Sequence, residues 1–166
     1  MAQMVAITLS GNITQVEYFA MNTYSIGERQ ENRHLQDVKL IQFFLWQFYN
    51  VNLQLFSLLP IVSRTPEMVI DGRCGQQTIA GIYNFQKYHR LLGYAIPTDG
   101  VVDATKSLLT RRNAEMFTIW WLNKWFVANG TGSADQRADL RLHPMVISRI
   151  PDLHSELCNS QVRAVA

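Results

Sequence analysis

The chain has 166 residues, 48% of them hydrophobic and 17% charged, with a formal net charge of +2. That supply of apolar side chains suits a packed core and excludes a disordered chain. The near-neutral balance, with Arg111-Arg112 as its densest basic spot, excludes a nucleic-acid footprint.

In chain order, the first 21 residues lack a basic stretch followed by an uninterrupted apolar one, so no Sec signal peptide is read. The expectation is synthesis in the cytoplasm, with any delivery to the periplasm or cell wall by a non-Sec route. Val5, Ile7 and Leu9 alternate with Ala6 and Thr8, Ser10-Gly11-Asn12 makes a turn, and Ile13 to Phe19 resumes a β-like composition. This predicts a short hairpin. Ser25 to Arg33 is polar, contains Gly27 and reads as a linker. From His34 to about Leu55 no breaker occurs, and Asp37 suits the positive end of a helix dipole. Lys39, Gln47 and Asn50 mark a narrow wet stripe on this first helix, so it needs cover on more than one side. No apolar run approaches the ~20 residues of a membrane span.

Pro60 and Pro66 bracket an irregular connection that leads to the turn Asp71-Gly72. Thr78, Ile82, Phe85, His89 and Leu92 recur at helical spacing, predicting a second helix over Gln76–Leu92 in which Gly81 marks a close crossing. Pro97 to Gly100 makes another turn, and Ala104 to Leu109 reads as a short third helix. Asn113 caps a further helix to about Ala128, rich in aromatics at Phe117, Trp120, Trp121 and Trp125. It either covers the first helix or presents aromatics to a sugar or a partner protein. Residues 131–139 read as a hinge. The tail, broken by Pro144 and Pro151, reads as an extended arm ending in one helical turn. Its apolar residues, Met145, Val146, Ile147, Ile150 and Leu153, would dock it.

The predicted fold is mainly α. Residues 1–33 form a hairpin and linker, 34–110 a three-helix module, 111–130 a Trp-rich helix packed on it, and 131–166 a hinge and arm.

The most specific pattern is Asp71-Gly72-x-x-Gly75-x-x-Thr78 followed by Phe85-Gln86. Glycine after Asp relieves a left-handed turn, and Asp bonds to the backbone beyond it. Gly75 would permit a tight approach, a threonine near a helix start bonds to backbone, and a glutamine carries both donor and acceptor. With Ile41-Gln42 on the first helix and a second turn Asp99-Gly100-Val101-Val102 followed by Thr105, the pattern closely resembles the peptidoglycan-binding-domain-like family over about residues 34–110.

Three features depart from that family. Cys74 stands where it has an aromatic, Leu58 to Ile70 is longer than its usual link, and Thr105 falls one residue early. The resemblance implies a three-helix module that binds cell-wall peptidoglycan without catalysis, its motif residues serving architecture. Position and chemistry then nominate Arg73, Gln76, Gln77, Tyr83, Asn84 and Tyr94 as ligand contacts, in a shallow groove between the second helix and the Asp-Gly turns.

Chemistry is not signalled. His34, His89, His143 and His154 have no metal-ligand spacing, and neither GxSxG nor a phosphate loop occurs. Arg73-Cys74-Gly75 superficially resembles a zinc-blocking propeptide switch, but no HExxH accompanies it, and Cys74 reads as a small buried hydrophobe. The two cysteines read as free thiols, with a single Cys74–Cys158 bridge as the alternative. The expectation is a binding module with no enzymatic activity, metal or cofactor. The alternative is an assembly or adaptor component that reuses the fold without binding glycan and meets another subunit through the Trp-rich helix or the arm. A phage or a secretion/injection apparatus would accommodate either.

Overall fold

The breaker-free run after His34 forms helix α1, Leu35–Val51. The computed structural model describes residues 2–9, 15–21, 24–30, 34–51, 68–104, 117–129, 139–160 and 163–165. Among them the fold is mainly α-helical with an N-terminal hairpin, as the periodicity predicts.

Val38, Leu40, Ile41, Phe43, Phe44, Leu45 and Phe48 of α1 are all at most 1% exposed. Such residues point to every side of a helix, so α1 is the central rod of the fold. The expected wet stripe is narrower than its residue types imply. Gln47 is buried, and Lys39 is drawn into an ion pair with Asp152 at 2.5 Å. Asp37, expected at the helix dipole, also accepts the Tyr24 N–H at 3.1 Å and ties the preceding segment down.

Strands β1 (Gln3–Leu9) and β2 (Gln15–Met21) pair antiparallel, with Gln3 opposite Met21 and Leu9 opposite Gln15. Their turn lies outside the described residues. The stretch read as a linker contains a strand instead: β3 (Ile26–Gly27) pairs with β4 (Val101–Val102), and Ile26 is fully buried. Polar neighbours hide this pairing, because a two-residue strand has no period of its own. Gly27, at φ +135°, lies so close to the Gly100 carbonyl that no Cβ would fit.

Helix α2 (Gln76–Leu91) crosses α1 at Gly81. A Cβ there would lie 2.7 Å from Met68 Cε and 3.2 Å from Leu45 Cδ1, and the Tyr49 hydroxyl donates to the Gly81 carbonyl at 3.3 Å. The close crossing predicted from that glycine is present. The helix predicted over Ala104–Leu109 lies, Ala104 aside, outside the described residues. Helix α3 (Thr118–Asn129) carries three of the four tryptophans and covers α1, while Asn113, expected to cap it, lies outside the described residues. Trp120 and Trp125 are each 8% exposed. Trp125 meets Phe48 edge-on at 5.1 Å, and Phe126 meets Phe43 and Phe44 at 5.7 and 5.6 Å.

The tail is not an extended arm. A 3-10 turn (Leu140–Leu142) leads to α4 (Pro144–Arg149), α5 (Pro151–Asn159) and β5 (Arg163–Val165). The two prolines start helices rather than break them, since the first helical N–H has no intrahelical partner to lose. His143 caps α4 by accepting the Met145 N–H at 3.3 Å, while its ring packs on Phe43 at 5.3 Å. Val146, Ile150, Leu153 and Leu157 are buried. β5 then joins β1 in parallel, giving the sheet order β2-β1-β5.

Candidate binding site

The first Asp-Gly turn is held from α1 by Gln42, which is 1% exposed. Its Oε1 accepts the Gly72 N–H at 2.8 Å. Its Nε2 lies 2.9 Å from Asp71 Oδ1, 3.1 Å from the Arg73 carbonyl and 3.2 Å from Thr78 Oγ1, so two hydrogens are shared among three oxygens. Asp71 Oδ1 also accepts the Arg73 N–H at 2.8 Å. That bond, followed by the one from Gln42, lowers the Asp71 pKa below its ordinary value.

The second turn repeats the arrangement one helix later. Gln86 on α2, fully buried, accepts the Asp99 and Gly100 N–H groups at 3.1 and 2.8 Å. Its Nε2 reaches Asp99 Oδ1 at 3.0 Å, the Val101 carbonyl at 2.8 Å and Thr118 Oγ1 at 3.0 Å. Asp99 Oδ1 accepts the Val101 N–H at 3.0 Å, as Asp71 does for Arg73. Gly72 and Gly100 have matching φ values of +78° and +72°.

Thr118, at the start of the Trp-rich α3, therefore does in the second unit what Thr78 does in the first, although a longer stretch of chain separates it from its turn. Thr105, predicted for that place, lies outside the described residues. Gly75 differs from expectation as well: a Cβ there would meet nothing within 4 Å. Its φ of −91° is open to any residue.

Cys74 is half-buried against the core, and burial pushes its thiol up to about 11. Little thiolate then exists near neutrality, which weighs against a reactive or metal-binding thiol. Cys74 and Cys158 are free, so the bridge between them is not made. Among the described residues no group of three or more His, Cys, Asp or Glu side chains could hold a metal ion. No helix there is long and apolar enough to cross a membrane.

The six nominated contacts do not converge. Arg73 and Gln76 are exposed at the first turn and the start of α2, and Tyr83 is exposed further along α2 with Lys87 Nζ 4.5 Å above its ring. Gln77 is half-buried. Asn84, 6% exposed, is packed inward and offers almost no surface to a ligand. Tyr94 lies beyond the other end of α2, roughly 20 Å along the helix from Gln76 at 1.5 Å per residue.

Tyr94 borders a cleft of about 290 Å³ between the C-terminal half of α2 and the outer side of α3. Tyr88, Trp121 and Trp125 supply further aromatic surface, and Lys124 and Asn129 contribute polar groups. The Tyr94 and Trp121 ring centroids are 4.3 Å apart at 38°. His89 also lines the cleft, 4% exposed, its Nδ1 3.0 Å from the Phe85 carbonyl. A carbonyl only accepts, so Nδ1 bears the proton and Nε2 is the acceptor nitrogen of the neutral ring. Desolvation lowers the His89 pKa against that hydrogen bond, keeping the ring neutral.

Trp121 and Trp125 belong to the helix expected either to cover α1 or to present aromatics to a sugar, whereas Lys124 escapes that reading, although Trp121, Lys124, Trp125 and Ala128 stand at i, i+3, i+4 and i+7. That spacing is the one available signal that they share a helix face. No protein-family model, curated protein or solved structure matches the chain.

Proposed function

We propose that the chain is a non-catalytic module that attaches to bacterial cell-wall peptidoglycan, serving in a phage or a secretion/injection apparatus. The observation that carries this reading is the doubled glutamine, Asp-Gly and threonine arrangement. It supports the resemblance seen in the motif spacing, because each element of that pattern has a hydrogen-bonding reason to be where it is. Those groups are spent on architecture, so ligand contacts must come from surfaces between and beside them. An aromatic cleft with polar groups next to the module is the kind of surface that recognises sugars.

Co-sedimentation of the full chain with insoluble sacculi tests the proposal. The wild type is expected in the pellet and, for the heat-denatured control, only at background level. Wild-type protein that stays in the supernatant overturns it. A concentration-dependent mass in solution would then favour an assembly component that meets another subunit through the Trp-rich helix or the C-terminal segment, where Leu142 and Ile147 are exposed.

A further inference from the structure

We infer that His154 and Cys158 of α5 form half of a zinc-class metal site, which a second copy of the chain completes with the same two residues. The inference goes beyond the glycan-binding reading above and is independent of it.

The pair stands one turn apart on α5, at i and i+4, so both side chains leave the same face of the helix. Cys158 Sγ and His154 Nε2 are 3.4 Å apart. Thiolate and imidazole are ligands that zinc favours, at about 2.3 and 2.0–2.1 Å. At a tetrahedral angle those two bonds span about 3.6 Å between sulfur and nitrogen. A cation therefore fits where the pair now shares a proton, with little movement of either side chain. Cys158 is exposed and His154 partly so. Neither makes another side-chain hydrogen bond or an ion pair within the described residues.

Two ligands do not complete a structural zinc site, which takes four. Among the described residues no third His, Cys, Asp or Glu joins the pair. Water in the open positions would leave a weak site, whereas a second copy supplies two more ligands of the same chemistry. The face of α5 suits that approach. Its exposed residues, Pro151, Ser155, Cys158 and Asn159, carry no charge, so two such faces meet without like-charge repulsion. A two-fold axis through the metal then closes a Cys2His2 shell. As each S–Zn bond forms, the thiol proton passes to solvent. Two protons leave per zinc, and two thiolates, two neutral imidazoles and the divalent ion sum to zero charge.

The test uses the full chain, kept reduced, with Co²⁺ as the spectroscopic probe and Zn²⁺ as its competitor. Co²⁺ should give thiolate-to-cobalt charge-transfer absorption and the intense visible bands of a tetrahedral site, saturating at one metal per two chains. Zn²⁺ should bleach those bands and double the mass in sedimentation, and EDTA should restore the metal-free mass. Cys158→Ala and His154→Ala, both on the outer face of α5 and checked for folding by circular dichroism, should abolish the bands and the mass change. Cys74→Ala should keep both, because that thiol is half-buried against the core. Three results overturn the inference: no charge-transfer absorption in the wild type, its persistence in Cys158→Ala, or saturation at one metal per chain without a change of mass.

Discussion

Gln42 and Gln86 each join a helix to a turn that would otherwise have buried N–H groups without partners. Replacing Gln86 by Leu preserves volume but strands the Gly100 N–H, a buried donor, and the part-buried Asp99 N–H. Leaving buried polar groups unsatisfied costs about 1–3 kcal/mol each, so Gln86→Leu should lose about 3 kcal/mol. Urea denaturation should show this as a lower midpoint at unchanged slope, with the exposed Gln76→Leu within roughly 0.5 kcal/mol of wild type. The glutamines are legible in the sequence because Ile41-Gln42 and Phe85-Gln86 are both apolar–Gln pairs on the helix that precedes an Asp-Gly turn. Thr118 is not legible in this way. Thr78 follows its Asp-Gly turn closely, whereas Thr118 is separated from Asp99 by the long stretch that includes residues 105–116. A hydrogen bond across such a gap leaves no mark on local spacing.

At the scale of one element, the start of α2 sets two glycines against each other. Gly75 is the N-cap, has an ordinary backbone conformation and makes no side-chain capping bond. Gly72, at φ +78°, would drive a Cβ into Leu35. Gly75→Ser should therefore stabilise by about 0.5 kcal/mol, through a cap and a less flexible unfolded chain. Gly72→Ala should destabilise by more than about 1 kcal/mol, and thermal melts of the two variants should move in opposite directions. Composition alone gives both glycines the same meaning. Helix α2 was readable because its apolar residues recur at helical spacing over four turns. The start of α1 was readable because the run after His34 has no breaker, while its expected end near Leu55 lies outside the described residues. The tail was not readable, because α4 and α5 are short and each begins at a residue that normally signals a break. The aromatic side of α3 follows the helical period, but only its packing against Tyr94 distinguishes the cleft from a core face.

For the whole molecule, the docking of α5 on α1 and the N-terminal strand contributes to the response to pH. Burial raises the pKa of Glu156, with Asp37 adding to the shift and the Ala2 backbone N–H opposing it. Its Oε1 is buried and has no hydrogen-bond partner. A carboxyl whose folded pKa is raised contributes stability below its unfolded pKa, and this is lost as pH rises through the folded value. Glu156→Gln should consequently melt higher than wild type at pH 7, with the difference vanishing near about pH 4, where the acid is protonated in both states. Asp71 has the opposite sign. Its folded pKa is lowered, so its contribution is complete above the ordinary aspartate range and fades as pH falls through the folded value. Asp152 behaves like Asp71: desolvation pushes its pKa up, but the bonds from Lys39 and Gln36 outweigh that.

The parallel pairing of Val5 with Arg163 also fixes an order of events in time. Strand β1 emerges early during synthesis, and its hairpin partner β2 follows within a few residues. The opposite edge of β1 must wait until β5, far along the chain, has been made. Pairing across so long a loop carries a large closure entropy, so this ladder belongs among the late and slow steps of folding. Until then β1 presents an unpaired edge, the feature through which incomplete chains recruit one another. Strand β5 thus acts as the edge cover of β1, closing that side of the sheet long after the hairpin has formed.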